Sequence, residues 1–266
     1  MIDIGANLTH SAFRDDLADV IERAREAGVE QIIVTGTTVE DTRQASALGL
    51  PFTAGVHPHH ARDCGPETIP QLRELARHPR CVAIGECGLD FNRNYSPHPD
   101  QEKWFVAQAE LGLELGKPLF LHSRDAHPSF SEILRSLKIE KAVAHCFTGE
   151  REELKAYLDL GLYIGITGWI CDERRGRHLV KLVRDIPRDR LLLETDSPYL
   201  TPRDLKPQPR ARRNEPAFLP HILGAVARAL GRPAEEVAAD TTRNAVALFG
   251  LDESRASAPA QRPLAA

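Results

Sequence analysis

The stretch PLFLHSRDAHPSFSEILRSLKIEKAVAHC, residues 118–146, holds two short apolar runs around one helix-length segment. The runs are Pro118–Leu121 and Ala142–His145, and the segment between them is Phe130–Leu137. Each run is too short for a helix. Each is apolar without strict alternation, as in strands buried on both faces of a parallel sheet. A histidine follows the first run, His122, and one ends the second, His145.

The same alternation extends in both directions. Further apolar runs occupy Ile2–Gly5, Gln31–Thr35, Pro51–Val56, Cys81–Gly85, Leu162–Ile166 and Leu191–Glu194. Helix-length segments at Asp16–Ala27, Pro99–Leu115 and Glu152–Leu160 lie between them, and Gly28, Gly116 and Gly161 stand as their C-terminal stops. Eight strands, each followed by a helix, predict an α/β fold, a (β/α)8 TIM barrel. A doubly wound open sheet is the alternative. The absence of G-x-G-x-x-G after an early strand weakens its dinucleotide-binding form. An extra C-terminal helix over Ala234–Phe249 closes a single domain of residues 1–250. Residues 251–266, rich in Ala, Pro and Ser, read as a frayed tail.

Composition narrows the function. The chain has 266 residues and a formal net charge of −4, with 42% hydrophobic and 27% charged side chains. That is an ordinary soluble composition, which excludes disordered, collagenous and membrane classes. No apolar run approaches the roughly 18 residues of a membrane-spanning helix. Met1–Gly5 lacks the basic and apolar regions of a secretory signal. Five cysteines without a C-x-x-C pair argue against a disulfide framework or zinc knuckle and suggest the cytoplasm. No obligate protein partner is evident. Any polyanion must be bound by a local patch, since the chain as a whole is mildly acidic.

Four strand exits end in metal-ligand types: Glu86, His122, His145 and Asp196. In a barrel of this kind such exits gather at one mouth. Two carboxylates and two imidazoles there can bind a divalent cation and leave positions open for water and substrate. His57 ends the third run and should face the mouth, as a phosphate contact or a support for the ligands. His59 and His60, one loop further, read as solvated. Arg124 is either a phosphate clamp or a loop-ordering ion-pair partner of Asp125 or another acid. Asp90 and Asn92 read as loop-ordering residues beside Glu86. Cys87, Cys146 and Cys171 adjoin these motifs but read as small buried hydrophobes.

Thr201–Pro216 carries five basic and two acidic side chains, with four prolines to stiffen it. It follows Asp196 and is expected to line the mouth and hold a nucleic-acid backbone, with Arg212, Arg213 and Asn214 as substrate contacts. Arg174, Arg175 and Arg177 could extend the track. Trp169, Phe91 and Phe147 are candidates either for base stacking or for the core.

Taken together, these motifs resemble the TatD-type metal-dependent hydrolases, a deoxyribonuclease family within the amidohydrolase-like barrels. The likeness runs through DIGANLTH (3–10), TAGVHPH (53–59), VAIGECGLDFNRN (82–94), FLHSRDAH (120–127), AHCFTG (144–149), GITGWICDERRG (165–176), ETDSPYL (194–200) and RRNEPAFLPHIL (212–223). Within the family it is nearest to the branch of 3′→5′ exonucleases acting on single-stranded DNA and RNA. The resemblance implies that Glu86 serves the metals, that His122 and His145 complete the site, and that Asp196 binds metal and takes a proton from water. It also implies a role in DNA repair or nucleic-acid turnover. One departure stands out. The wider family opens with H-x-H, and this chain has Gly5-Ala6-Asn7. Losing two nitrogen ligands favours Mg²⁺, with Mn²⁺ or Zn²⁺ as alternatives and one or two ions bound. Asn7 is a candidate contact to metal or to its water, or a loop residue. Two other functions fit the same residues: hydrolysis of another ester, such as aminoacyl-tRNA, and nucleic-acid binding without turnover.

Overall fold

The computed structural model describes residues 1–209 and 211–251; all of the expected tail except Leu251 lies outside them. Strands and helices alternate from the start. They are β1 (Ile2–Ala6), α1 (Leu17–Glu26), β2 (Gln31–Val34), α2 (Val39–Ala47), β3 (Phe52–Ala54), α3 (Thr68–Ala76), β4 (Cys81–Asp90) and α4 (His98–Leu115). The second half continues with β5 (Leu119–Arg124), α5 (His127–Ser136), β6 (Ala142–Ala144), α6 (Arg151–Asp159), β7 (Tyr163–Ile166), α7 (Arg177–Leu182) and β8 (Leu191–Leu193). Two last helices follow, α8 (Leu219–Leu230) and α9 (Ala234–Phe249).

The eight strands pair in parallel and in chain order. The barrel closes between its first and last strands by a short seam. Ala6 bridges Ser197, the Asp196 amide donates to Gly5 O at 2.9 Å, and the Asn7 amide donates to Ser197 O at 2.7 Å. Inside the barrel, Ile2, Ile4, Ile33, Ala83, Phe120, Val143 and Leu192 form a plug, and Ala245, Leu248 and Phe249 of α9 pack against it. A buried Leu or Phe in such a plug contributes about 1.5–3 kcal/mol. The larger core lies between strands and helices, with Leu72, Phe105, Phe130 and Tyr157 among its bulkiest members.

Two strands outrun their apolar sequence. The apolar run ends at Gly85, but β4 continues to Asp90. Its pairing with β5 runs from Ile84–Leu119 to Asp90–Arg124. Backbone pairing carries both strands into the polar motifs, so Glu86, Asp90 and His122 stand on sheet rather than on loop. No helix among the described residues is long and apolar enough to cross a membrane.

Candidate metal centre and its cavity

Glu86 is the hub of the barrel mouth. It is buried on β4, and its Oε1 lies 2.8 Å from His145 Nε2, 3.0 Å from His122 Nδ1 and 3.1 Å from His57 Nε2. Burial alone would raise the carboxyl's pKa. The positive His145 ring, the adjacent His57 ring and the hydrogen bonds from His122 and His145 outweigh it and hold Glu86 well below the usual range. It is therefore an anion at neutral pH. Ligand atoms about 2.1 Å from one divalent ion stand about 3.0 Å apart in an octahedron and about 3.4 Å apart in a tetrahedron. The spacings around Glu86 Oε1 fall in or near that range.

The far nitrogen of each ring separates the three histidines. A metal-bound imidazole normally donates its other N–H to a carboxylate or carbonyl. His145 Nδ1 lies 3.3 Å from Glu194 Oε2, and His122 Nε2 lies 3.4 Å from Asp90 Oδ2. The latter nitrogen is buried and makes no well-aligned hydrogen bond. Both rings are thus backed by a carboxylate on the side away from Glu86. His57 is the reverse case. Its Nδ1 accepts the His59 backbone N–H at 3.0 Å, which leaves the ring proton of the neutral form on Nε2, facing Glu86 and His122. Burial pushes its pKa down to about 4, with the rings of His122 and His59 adding to this against the pull of Glu86. Proximity alone would group His57 with Glu86 and His122 as ligands. The tautomer makes it a neutral donor instead.

Of two further carboxylates here, the sequence assigns Asp90 only a loop-ordering role and Glu194 none. Asp90, taken for a loop residue, is buried at the end of β4 and contacts His59 Nε2 at 2.6 Å. Burial raises its pKa, but the adjacent His122 ring and the hydrogen bonds from His59 and the Arg93 amide prevail and keep it ionised. His59 is consequently part of the site, not solvated. Glu194 is the last residue of the apolar run Leu191–Glu194. It is fully buried, accepts the Cys146 amide at 2.5 Å and braces His145. A Cβ on Gly5 would come within 2.6 Å of Glu194 Oε2, and one on Gly165 within 2.4 Å of its Oε1. Gly5, at the first position of the missing H-x-H, therefore gives room to a carboxylate.

Asp196 shares the cavity wall with these groups and accepts Asn7 Nδ2 at 3.1 Å. Burial lifts its pKa to about 7. Glu86 and Glu194 push the same way, while His145 and Asn7 oppose them. Asn7 is committed through its amide nitrogen, so any contact to a metal or its water falls to its oxygen.

The mouth opens into a cavity of about 1360 Å³. Arg124, Trp169, Arg175, Arg203 and Arg212 are on its wall. Arg124 donates to Thr148 Oγ1 at 2.6 Å and lies over the Trp169 ring, with Asp125 only at 4.0 Å. Two expected substrate contacts are corrected. Arg213 points away from the cavity to Asp16 (2.7 Å), Glu215 (2.6 Å) and Ala12 O (2.6 Å). Asn214 is fully buried and donates to Thr195 O and Tyr199 O at 2.8 and 2.7 Å. Both hold the loop in place. Cys146, expected to be buried, lines the cavity, because β6 ends at Ala144 and strand alternation no longer applies. Phe147 belongs to the core, and Phe91 stacks on His98. The exposed aromatics of the cavity are two that sequence reasoning passed over. Tyr95 is 51% exposed beside His59, and Tyr199 is 50% exposed beside His10.

Comparison with known proteins agrees with this architecture. A family model described as TatD related DNase matches residues 2–250. A protein of Klebsiella pneumoniae (strain 342), named 3′-5′ ssDNA/RNA exonuclease TatD, is 52% identical over 95% of this chain and 98% of its own. One of Erwinia tasmaniensis with the same name is 54% identical over 94% of this chain and all of its own. Among solved structures, YJJV, a TatD homolog from Escherichia coli K12, superposes with a TM-score of 0.87 at 27% identity, covering 95% of this chain and 98% of that one.

Proposed function

The chain belongs to the TatD-related DNase family, and on that premise we propose that it is a divalent-metal-dependent nuclease that releases nucleotides 3′→5′ from single-stranded DNA or RNA. The observation that carries this reading is the convergence of two carboxylate-braced imidazoles, His122 and His145, on one oxygen of Glu86.

Glu86, His122, His145 and Asp196 would hold the ion. A divalent cation there supplies Lewis acidity, which acidifies water and offsets charge on the phosphoryl group. The protein's own residues supply the rest. Asp196, kept as a carboxylate by the cation it helps to hold, takes the proton of the attacking water. His57 keeps its Nε2–H and donates it to Glu86 or to a phosphate oxygen. Arg124 and Arg212 meet the backbone phosphates, and Tyr95 and Tyr199 offer ring faces to bases.

In this reading Mg²⁺ would be the working ion, held by Glu86, His122, His145 and Asp196, with water and substrate phosphate as the further oxygen donors it would need. The two imidazoles favour Mn²⁺ or Zn²⁺ in the resting protein. One ion at Glu86 is the minimum, and a second would need oxygens from the substrate. The five free cysteines fit a reducing compartment such as the cytoplasm, and repair or turnover of nucleic acid is the role consistent with the activity.

The test is a time course on single-stranded DNA labelled at either end, with EDTA, Mg²⁺, Mn²⁺ or Zn²⁺. The 3′ label should appear at once as mononucleotide while the 5′ label passes through a ladder, and Glu86→Ala should be inactive. A ladder from the 3′ label, or equal activity in EDTA, would overturn the reading.

A further inference from the structure

Outside the mouth, the described residues hold one more set of metal-ligand types. Cys171, Asp204 and His221 present a thiol, a carboxylate and an imidazole whose ligand atoms all lie within 4.8 Å of one another. They come from three separate segments. Cys171 ends the 3-10 turn Gly168–Cys171 after β7, Asp204 is on the loop after β8, and His221 is in the first turn of α8. His221 Nε2 and Asp204 Oδ1 are 2.7 Å apart. None of the three contributes to the Glu86 centre.

We propose that Cys171, Asp204 and His221 form an accessory site for a thiophilic divalent cation such as Zn²⁺, which clips the β8 loop to α8. Zn²⁺ accepts this donor set at about 2.3 Å for sulfur and about 2.0–2.2 Å for nitrogen and oxygen, which puts neighbouring donors about 3.3–3.7 Å apart. Shifts of about 1 Å bring these atoms to that spacing. Asp204 and His221 are on the surface, with side chains 46% and 27% exposed, so they can move and water can take the fourth position. Cys171 is 6% exposed, and burial, reinforced by Asp204, pushes its thiol up to about 12. Without an ion the sulfur is therefore neutral. Binding releases the thiol proton to solvent and leaves a thiolate on the metal.

The clip has a functional direction. Asp204 lies between Arg203 on one side and Gln208 and Arg212 on the other, all three on the cavity wall. Gln208 ties the loop to itself through Pro202 O, Arg203 O and Leu205 O. Fixing Asp204 therefore fixes the segment that carries the rim cations.

The test is cobalt substitution of the full chain. Co²⁺, titrated past the equivalents that the Glu86 centre takes up, should give a thiolate-to-metal charge-transfer band whose amplitude corresponds to one cobalt–thiolate site per chain. The band should persist in Glu86→Gln and in Cys146→Ala, the cysteine on the catalytic cavity, and vanish in Cys171→Ser. No band in the wild type, or one that survives Cys171→Ser, overturns the proposal. Should Cys171→Ser fail to fold by circular dichroism, the surface variants Asp204→Asn and His221→Ala decide it. Each should weaken cobalt binding at the thiolate band at least tenfold, and unchanged affinity in both overturns the site.

Discussion

The Glu86 cluster and the basic loop after β8 treat their charges in opposite ways. At the mouth, side chains from β4, β5 and the segments after β6 and β8 point at one another from separate elements. Glu86 meets three rings it could not avoid, because the sheet delivers them there. In the loop, much of the charge is spent locally. Arg213 bridges Asp16 and Glu215, and Arg203 lies 3.7 Å from both Asp172 and Glu173. Charge density in sequence therefore does not say which cations face the cavity, whereas placement at a strand end predicts convergence well. A loop cation is free for substrate only after nearby carboxylates have taken their share.

The sharpest way to break this contrast is to remove a brace behind a ring. Glu194→Gln should lower metal affinity about 10- to 100-fold while the protein still folds. Metal titration followed by calorimetry checks it, and unchanged affinity would mean that Glu194 does not orient His145. Next in size are the rim aromatics. Tyr95→Ala and Tyr199→Ala should each weaken single-strand binding by about 1–3 kcal/mol at constant salt slope. Fluorescence anisotropy on short oligonucleotides measures both quantities.

The two adjacent arginines test the loop half of the comparison directly. Arg212→Ala should flatten the log–log salt slope of binding by about one unit. Arg213→Ala should leave that slope alone and cost about 1 kcal/mol of stability, since its pairs are partly screened by solvent. Identical salt slopes in the two variants would erase the distinction drawn between them.

The smallest effect concerns a buried carboxylate outside the site. Asp3 is fully buried beside Thr195, and burial raises its pKa from 3.8 to about 7 despite the hydrogen bonds it accepts. The folded chain thus holds this proton over a window in which the unfolded chain has lost it. Stability from this group is complete below about pH 4 and declines as pH rises to about 7. Asp196 acts with the same sign in metal-free protein. Urea titrations in EDTA should therefore show a shallower decline for Asp3→Asn than for the wild type across that range.

The barrel was legible because apolar runs such as Cys81–Gly85 and Pro118–Leu121 need burial on both faces, and few folds offer it eight times over. Glu86, His122, His145 and Asp196 were legible as polar residues at the ends of those runs. Asp90 was not, because backbone pairing with Arg124 extends β4 beyond its apolar part. Glu194 was hidden inside a run, its carboxylate accommodated by two glycines far away in sequence. The tautomer of His57 depends on a backbone amide two residues on, which no residue type announces.

The seam of the barrel has a kinetic consequence. Its closing hydrogen bonds are made by the backbone of Asp196 and Asn7, the same residues whose side chains meet at 3.1 Å. On the proposed role of Asp196 as proton acceptor, breathing of the seam and displacement of that carboxylate are a single event. Deuterium uptake at the Asp196 amide would count the molecules that are momentarily silent, and a loosened seam would register there before any loss of fold.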